Sequence, residues 1–312
     1  MKAVSVAAAL ATLATAGVLA PLALTPLRER LSPREIPGAQ RFLRAGGYEL
    51  HYTDEGPRDG SPVVLVHGFA SWAFSWRAQR QALSAAGFRV VTVDQLGYGG
   101  SERVAGPVYS TDRQAALVLE AIDALGVGAA HIVGHSFGGR VAMHVALAAP
   151  ARVRSLTLIC PEAFTTERPP IAAVVGLPLV GHALAFYSLA PPLVPVGLRS
   201  LSGSDAWLTE EAAAGYIAPL HVRGSVESQV WQARSPKDDG APLPGRLSAV
   251  THPTLLLWGA RDTVFPPKEG ERLARLLPDA RLRVLEGVGH LPHEERAAEV
   301  SGEILRFLSA EC

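Results

Sequence analysis

Short apolar runs recur along the chain at Val63 to Val66, Val90 to Val93, His131 to Val133, Leu156 to Cys160, Leu255 to Trp258 and Leu282 to Leu285, most of them separated by stretches of helical spacing. Each run is too short for a helix and apolar on successive positions, which predicts strands buried on both faces. Such strands belong to a parallel sheet covered by helices on each side. Ahead of them, Arg41 to Arg44 and Tyr48 to Thr53 flank Gly46-Gly47, the pattern of an antiparallel hairpin opening the sheet. A final helix is expected from about Glu294 to Leu308. In open sheets of this kind ligands gather at the C-terminal ends of the strands.

Two stretches break the alternation. Residues Ala3 to Leu24 carry no charge and follow Lys2. As a helix they would be long enough to cross a hydrocarbon core of roughly 30 Å. They predict a signal or anchor segment, residues 1–30, outside the fold. Ala14-Thr15-Ala16 resembles a cleavage site, but cutting there leaves Gly17 to Leu27 still apolar, so an uncleaved membrane anchor is expected. Arg28, Arg30 and Arg34 outnumber Lys2, which by the positive-inside rule would hold the domain in the cytoplasm. The other stretch lies between Glu162 and about Arg246 and predicts a cap, residues 163–246, inserted into a core of residues 39–162 and 247–310. From Pro169 to Leu198 the cap has no Asp, Glu, Lys or Arg. It is either a set of short helices packed on the core or an apolar lid offering Phe186 and Tyr187 to an acyl chain or a bilayer. Trp231, on an amphipathic cap helix, is equally compatible with core and pocket.

Composition narrows the function. The 312 residues are 48% hydrophobic and 19% charged with a formal net charge of zero, and no basic stripe is interleaved with aromatics. Nucleic acid is therefore not an expected partner. The two cysteines and the absence of clustered Cys/His ligands predict neither a disulfide framework nor a metal site, and no cofactor is implied.

Chemistry enters at Ala130 to Met143, AHIVGHSFGGRVAM, where a strand runs through Gly134-His135-Ser136-Phe137-Gly138 into a helix. Glycines on either side of Ser136 permit the sharp turn that leaves a serine Oγ exposed above a helix N-terminus. Asp262 stands just past a later strand, in Trp258-Gly259-Ala260-Arg261-Asp262, and His290 closes Gly287-Val288-Gly289-His290 past the next. A serine hydroxyl needs a base to take its proton, and a base needs a partner to orient it. Asp94, in DQLGYGGS, is expected to tie down its own loop, and His67 to pack beneath the loop that follows it. Gly97-Tyr98-Gly99 lacks the third glycine of a dinucleotide fingerprint.

Five motifs in order, HGF, DQLGYGGS, GHSFGG, WGARD and GVGH, resemble those of the α/β-hydrolase-fold superfamily from about Arg41 to Phe307, on its serine-nucleophile esterase and lipase-like side. The resemblance implies a Ser136 nucleophile, His290 as base and acid, Asp262 as its orienting acid, and the Phe69 and Phe137 N–H groups as an oxyanion hole. It implies hydrolysis of a carboxylic ester, with a lipophilic acyl group as the expected substrate class. Glu162, past the preceding strand, is the rival for the acid. HGFASWAFSWR also resembles haloalkane dehalogenases and epoxide hydrolases, but Ser136 stands where their mechanism needs a carboxylate. Cofactor-free haloperoxidases and perhydrolases share the triad, as do carbon–carbon bond hydrolases, which typically carry Asn where this chain has His135 and Trp where it has Leu291. A slow-turnover ligand receptor on the same fold is a further alternative.

Overall fold

A computed structural model describes residues 16–165, 174, 177 and 179–311. Most of the apolar segment ahead of residue 16, and Pro169 to Ala173 with positions 175, 176 and 178 of the cap, lie outside the described residues.

The first described residues, 16–28, form helix α1. The hairpin follows as β1 (Arg41–Ala45) and β2 (Tyr48–Glu55), then β3 (Pro62–Val66), α2 (Arg77–Ala85), β4 (Arg89–Val93), α3 (Thr111–Ala124), β5 (Ala130–His135), α4 (Phe137–Ala148) and β6 (Val153–Ile159). The cap contributes α5 (Val180–Ser188), α6 (Val194–Leu201), α7 (Glu210–Ile217) and α8 (Ser225–Arg234). The chain then returns through β7 (Thr254–Gly259), α9 (Pro267–Leu276), β8 (Ala280–Leu285), α10 (Pro292–Glu295) and α11 (Ala297–Ala310).

The eight strands make one sheet in the order β1-β2-β4-β3-β5-β6-β7-β8. β1 pairs antiparallel with β2 and β2 with β4, and all later pairings are parallel. β4 and β5 are buried at every position, as runs apolar on both faces require. β8 departs from that expectation: it is the edge strand, and Arg281, Arg283 and Val284 are exposed. Among the described residues no strand covers its far side, and Arg283 instead reaches Glu299 and Glu303 on α11. The final helix is also divided, because Arg296 adopts φ −132° and ψ 47° between α10 and α11.

The described part of the N-terminal segment is not separate from the fold. Tyr187 Oη on α5 donates to the Gly17 carbonyl at 3.0 Å, and Thr25 Oγ1 lies 2.9 Å from His182 Nε2. Arg28 donates to the Phe186 carbonyl at 2.7 Å and covers the Phe186 ring at 4.2 Å. The Glu29 carboxylate accepts the Gly224 and Val226 N–H groups at 2.8 and 2.7 Å, at the start of α8 where a helix leaves donors unpaired. A parallel bridge from Leu31 to Val222 completes the attachment. Among the described residues no helix is long and apolar enough to cross a membrane.

Candidate active site

Ser136 sits between β5 and α4 with φ 52° and ψ −119°, a conformation that costs a non-glycine residue about 1–3 kcal/mol and persists only where its surroundings enforce it. Here Ser136 N donates to Ile159 O at 2.9 Å, and Ser136 O accepts from Gly139 N at 2.9 Å and Glu162 N at 3.0 Å. The tightness of the turn excludes a side chain at 138, where a Cβ would stand 2.2 Å from Val66 O. The effect is to hold the hydroxyl above the end of the sheet.

The three expected residues meet. Ser136 Oγ lies 3.0 Å from His290 Nε2, and His290 Nδ1 lies 2.8 Å from Asp262 Oδ2. The other oxygen of Asp262 accepts from Val264 N and Phe265 N at 2.8 and 3.0 Å. Burial pushes this carboxyl up, but the hydrogen bond and charge of His290 together with the two N–H groups outweigh it and hold the pKa below the usual carboxylate range. Phe137 opens α4, so its N–H is among those with no intrahelical partner. Gly68 leaves no room for a side chain, since a Cβ would lie 2.8 Å from His135 Nδ1 and 3.2 Å from Ser136 Cβ. That close approach brings the backbone leading into Phe69 against the serine.

Other candidates fall elsewhere. Asp94 accepts from Ala73 N at 2.6 Å and Gly100 N at 2.8 Å and pairs with His51 Nδ1 at 2.7 Å, the loop-tying role expected of it. His67 Nε2 accepts from Gln95 N at 3.0 Å while its Nδ1 meets Gly68 O at 2.8 Å, beneath the loop. Glu162 is bound by Lys237 at 2.8 Å.

Above Ser136 opens a cavity of about 340 Å³ whose cap side is formed by Leu189, Leu193, Val194, Leu198, Leu201 and Leu220, with Ser136 and His290 in its wall. The three residues expected to meet substrate do not line it. Phe186 packs on Val226 and Val230 of α8, under Arg28. Tyr187 points to α1, and Trp231 packs against the main core with its Nε1 donating to Glu227 at 2.7 Å. α5 turns Phe186 toward α8 and Tyr187 toward α1, and α8 turns Trp231 onto the main core, so the next residues after Tyr187, Ser188 and Leu189, reach the cavity instead.

Three features carried no local signal in the sequence. Glu295 accepts from Gly289 N at 2.9 Å in the histidine loop and from Gly203 N at 2.7 Å and Ser204 N at 3.0 Å in the cap, and His290 N donates to Leu201 O at 2.7 Å. The His290 loop is therefore fastened to the cap. His135 and His293 also line the cavity, their rings 4.3 Å apart. Beneath the acid, buried Cys160 has its sulfur within 4.8 Å of ligand atoms of both Asp262 and His290, and its thiol pKa is raised by burial and by the Asp262 charge. The side chains of that cluster are engaged with one another. In a second acidic cluster of Asp112, His144 and Asp238, Arg140 already places its guanidinium on both oxygens of Asp238 at 2.7 and 2.6 Å.

The family description "alpha/beta hydrolase fold" matches residues 61–297. Haloalkane dehalogenase 2 of Mycobacterium tuberculosis is 30% identical over 285 residues, covering 88% of this chain and 96% of that protein. A 2-hydroxymuconate semialdehyde hydrolase of Pseudomonas putida is 28% identical over 291 residues, covering 89% and 97%. Among solved structures, a thermophilic esterase from Thermogutta terrifontis is similar with a TM-score of 0.72 and 27% identity, over 87% of this chain and 99% of that one.

Proposed function

The chain belongs to the α/β-hydrolase family, and we propose that within it the protein is a serine hydrolase of carboxylic esters that works through an acyl-Ser136 intermediate. The observation that carries this is the continuous chain from Ser136 Oγ through both ring nitrogens of His290 to Asp262. Asp262 holds the proton on Nδ1, which leaves Nε2 as the base that takes the Ser136 proton during attack on the ester carbon. The Phe69 and Phe137 N–H groups receive the charge that develops on the carbonyl oxygen. His290 then gives its proton to the departing alkoxide, and in the second half it activates water to release the acid. The Asp-nucleophile route of a haloalkane dehalogenase has no carboxylate at position 136 to form its alkyl ester.

An acyl group of apolar character suits the leucine- and valine-lined cap side of the cavity. A lipid surface is the proposed setting, supported by exposed Leu19, Leu22, Leu24 and Leu27 on α1, Tyr187, Leu193 and Val196 on the cap, and Phe69 and Val264 beside the cavity. The similarity to a semialdehyde hydrolase keeps carbon–carbon cleavage as the second reading, against which stand His135 and Leu291 at the two positions that differ from that group.

The test is intact-mass spectrometry after fluorophosphonate treatment, beside p-nitrophenyl esters from acetate to palmitate with and without micelles. A single adduct lost in Ser136→Ala, with sustained turnover rising toward longer chains and in micelles, is expected. Folded protein without an adduct would remove the serine-esterase reading. Equal rates on short and long esters would remove its lipid part.

A further inference from the structure

Beside the apolar cavity, and sharing Ala70, Ser71, Leu189, Tyr216 and Leu220 with it, lies a second hollow of about 20 Å³. That is room for about one water-sized group. Its chemistry differs from the leucine-lined wall. Tyr98 Oη and Gln229 Oε1 belong to residues lining it, and both atoms are buried with no hydrogen-bond partner among the described residues, whereas Ser71 in the same wall is hydrogen-bonded to Tyr216. Native interiors pair nearly all their buried polar atoms, because an unpaired one forfeits its hydration without return. Two such oxygens on residues of one recess ask for a partner that the chain itself does not supply. They come from two separate elements, the turn after β4 and α8.

Arg103 stands in the same wall, but its guanidinium is already committed. It donates to Gly99 O at 2.7 Å, Pro219 O at 3.4 Å and Ser225 Oγ at 3.2 Å, and to the Ser101 carbonyl. It fastens the surrounding loops to one another. What the recess offers a ligand is two neutral oxygens, a phenol hydroxyl that donates or accepts and an amide carbonyl that only accepts.

We propose that this recess is a hydroxyl subsite, and that the acyl chain of the preferred ester carries a hydroxyl group that enters it from the apolar cavity. The inference rests on the serine-esterase reading above and names its substrate class more closely. A hydroxyl donates one hydrogen bond, to Gln229 Oε1, and accepts one from Tyr98, so it meets both demands with a single heavy atom. A carboxylate has no proton for Gln229 and is too large for one water-sized space. A methylene would leave both oxygens unpaired, the arrangement by which a site rejects an analogue lacking the hydroxyl.

The experiment compares p-nitrophenyl esters of monohydroxylated fatty acids, with the hydroxyl moved along the chain, against their unsubstituted parents of the same length. At one position kcat/KM is expected to exceed that of the parent by about tenfold or more. Tyr98→Phe and Gln229→Leu, on different elements and each checked for its melting temperature, should both bring that ratio down toward one. A ratio near one at every position, or a preference that survives both substitutions, would overturn the subsite and leave a recess that holds a fixed water only. These outcomes separate from failure of the parent reading. Turnover of the unsubstituted ester at Ser136 with no hydroxyl preference sinks the subsite alone, whereas no turnover of either ester and no fluorophosphonate adduct sinks both.

Discussion

Ser136, His290 and Asp262 are drawn from three loops, and what makes them one unit is that each is held by backbone as well as by its neighbours. Ser136 is fixed by Ile159 O and Glu162 N, His290 by Leu201 O, and Asp262 by Val264 N and Phe265 N. On the proposed mechanism Asp262→Asn should cost about four orders of magnitude in kcat, because an amide stabilises the wrong tautomer of the base. Glu162→Gln, in which the carboxylate is bound to Lys237, should change kcat little, and steady-state kinetics on one ester decides between the two acids. The neighbouring histidines make a prediction about pH. Burial, then the charge of His290, pushes the His135 pKa down to about 3, and burial with His135 pushes His293 well down. Both are neutral in the folded protein and return to about 6.5 when it unfolds. Below that pH the unfolded chain binds more protons, so the stability they contribute is complete above about pH 6.5 and erodes as pH falls toward 3. The melting temperature should fall between about pH 7 and pH 5, and His135→Asn should flatten that slope.

Among the elements, the histidine loop and the cap are joined by the Glu295 carboxylate as well as by the bond from His290 N to Leu201 O. Glu295 begins at the end of α10 and gathers N–H groups from Gly289 on one side and from Gly203 and Ser204 on the other. Glu295→Ala frees four donors, the N–H groups of Gly289, Leu291, Gly203 and Ser204, and on the proposed mechanism lets His290 drift by a fraction of an ångström, which should lower kcat about ten- to a hundredfold with a smaller change in KM. Equal kinetics in the variant would show that the base is positioned without the cap. Glu29 does similar work between α1 and α8. Glu29→Ala should quicken amide hydrogen exchange at the start of α8 and lower stability by about 1 kcal/mol. The sheet was legible element by element because β3 to β7 each carry a run apolar on successive positions, while Gly46-Gly47 marks the hairpin of β1 and the more polar β2. β8 misled because LRVL reads as a run in isolation, while its place at the sheet edge depends on the absence of a further strand, which no local pattern records.

On the scale of the whole molecule, exposed large apolar side chains cluster in function rather than in sequence. Among the described residues, Leu276 and Val284 stand outside α1, the cap and the cavity rim; the others belong to those three. If that surface meets lipid, as proposed, Leu19→Asp with Leu27→Asp should weaken co-sedimentation with phosphatidylcholine vesicles and leave the rate on a soluble short-chain ester unchanged. Undiminished co-sedimentation would assign those leucines another role.

By itself the sequence determined the parallel sheet with its opening hairpin, the turn at Ser136 and the placing of Ser136, Asp262 and His290 just past strand ends. These are written locally, since strand periodicity, glycines at a tight turn and polar residues just past strand ends need no knowledge of distant parts. Tertiary structure alone decided what surrounds Ser136. It turned Phe186, Tyr187 and Trp231 away and brought in Leu189, Leu193 and Leu198, because a cap of short helices without a repeating pair pattern can pack several ways. It also laid residues 16–28 against the cap, an outcome set by Thr25, Arg28 and Glu29 finding partners on helices more than a hundred residues away. The recess of Tyr98 and Gln229 is of the same kind: two ordinary polar residues acquire a meaning only when separate elements bury them together.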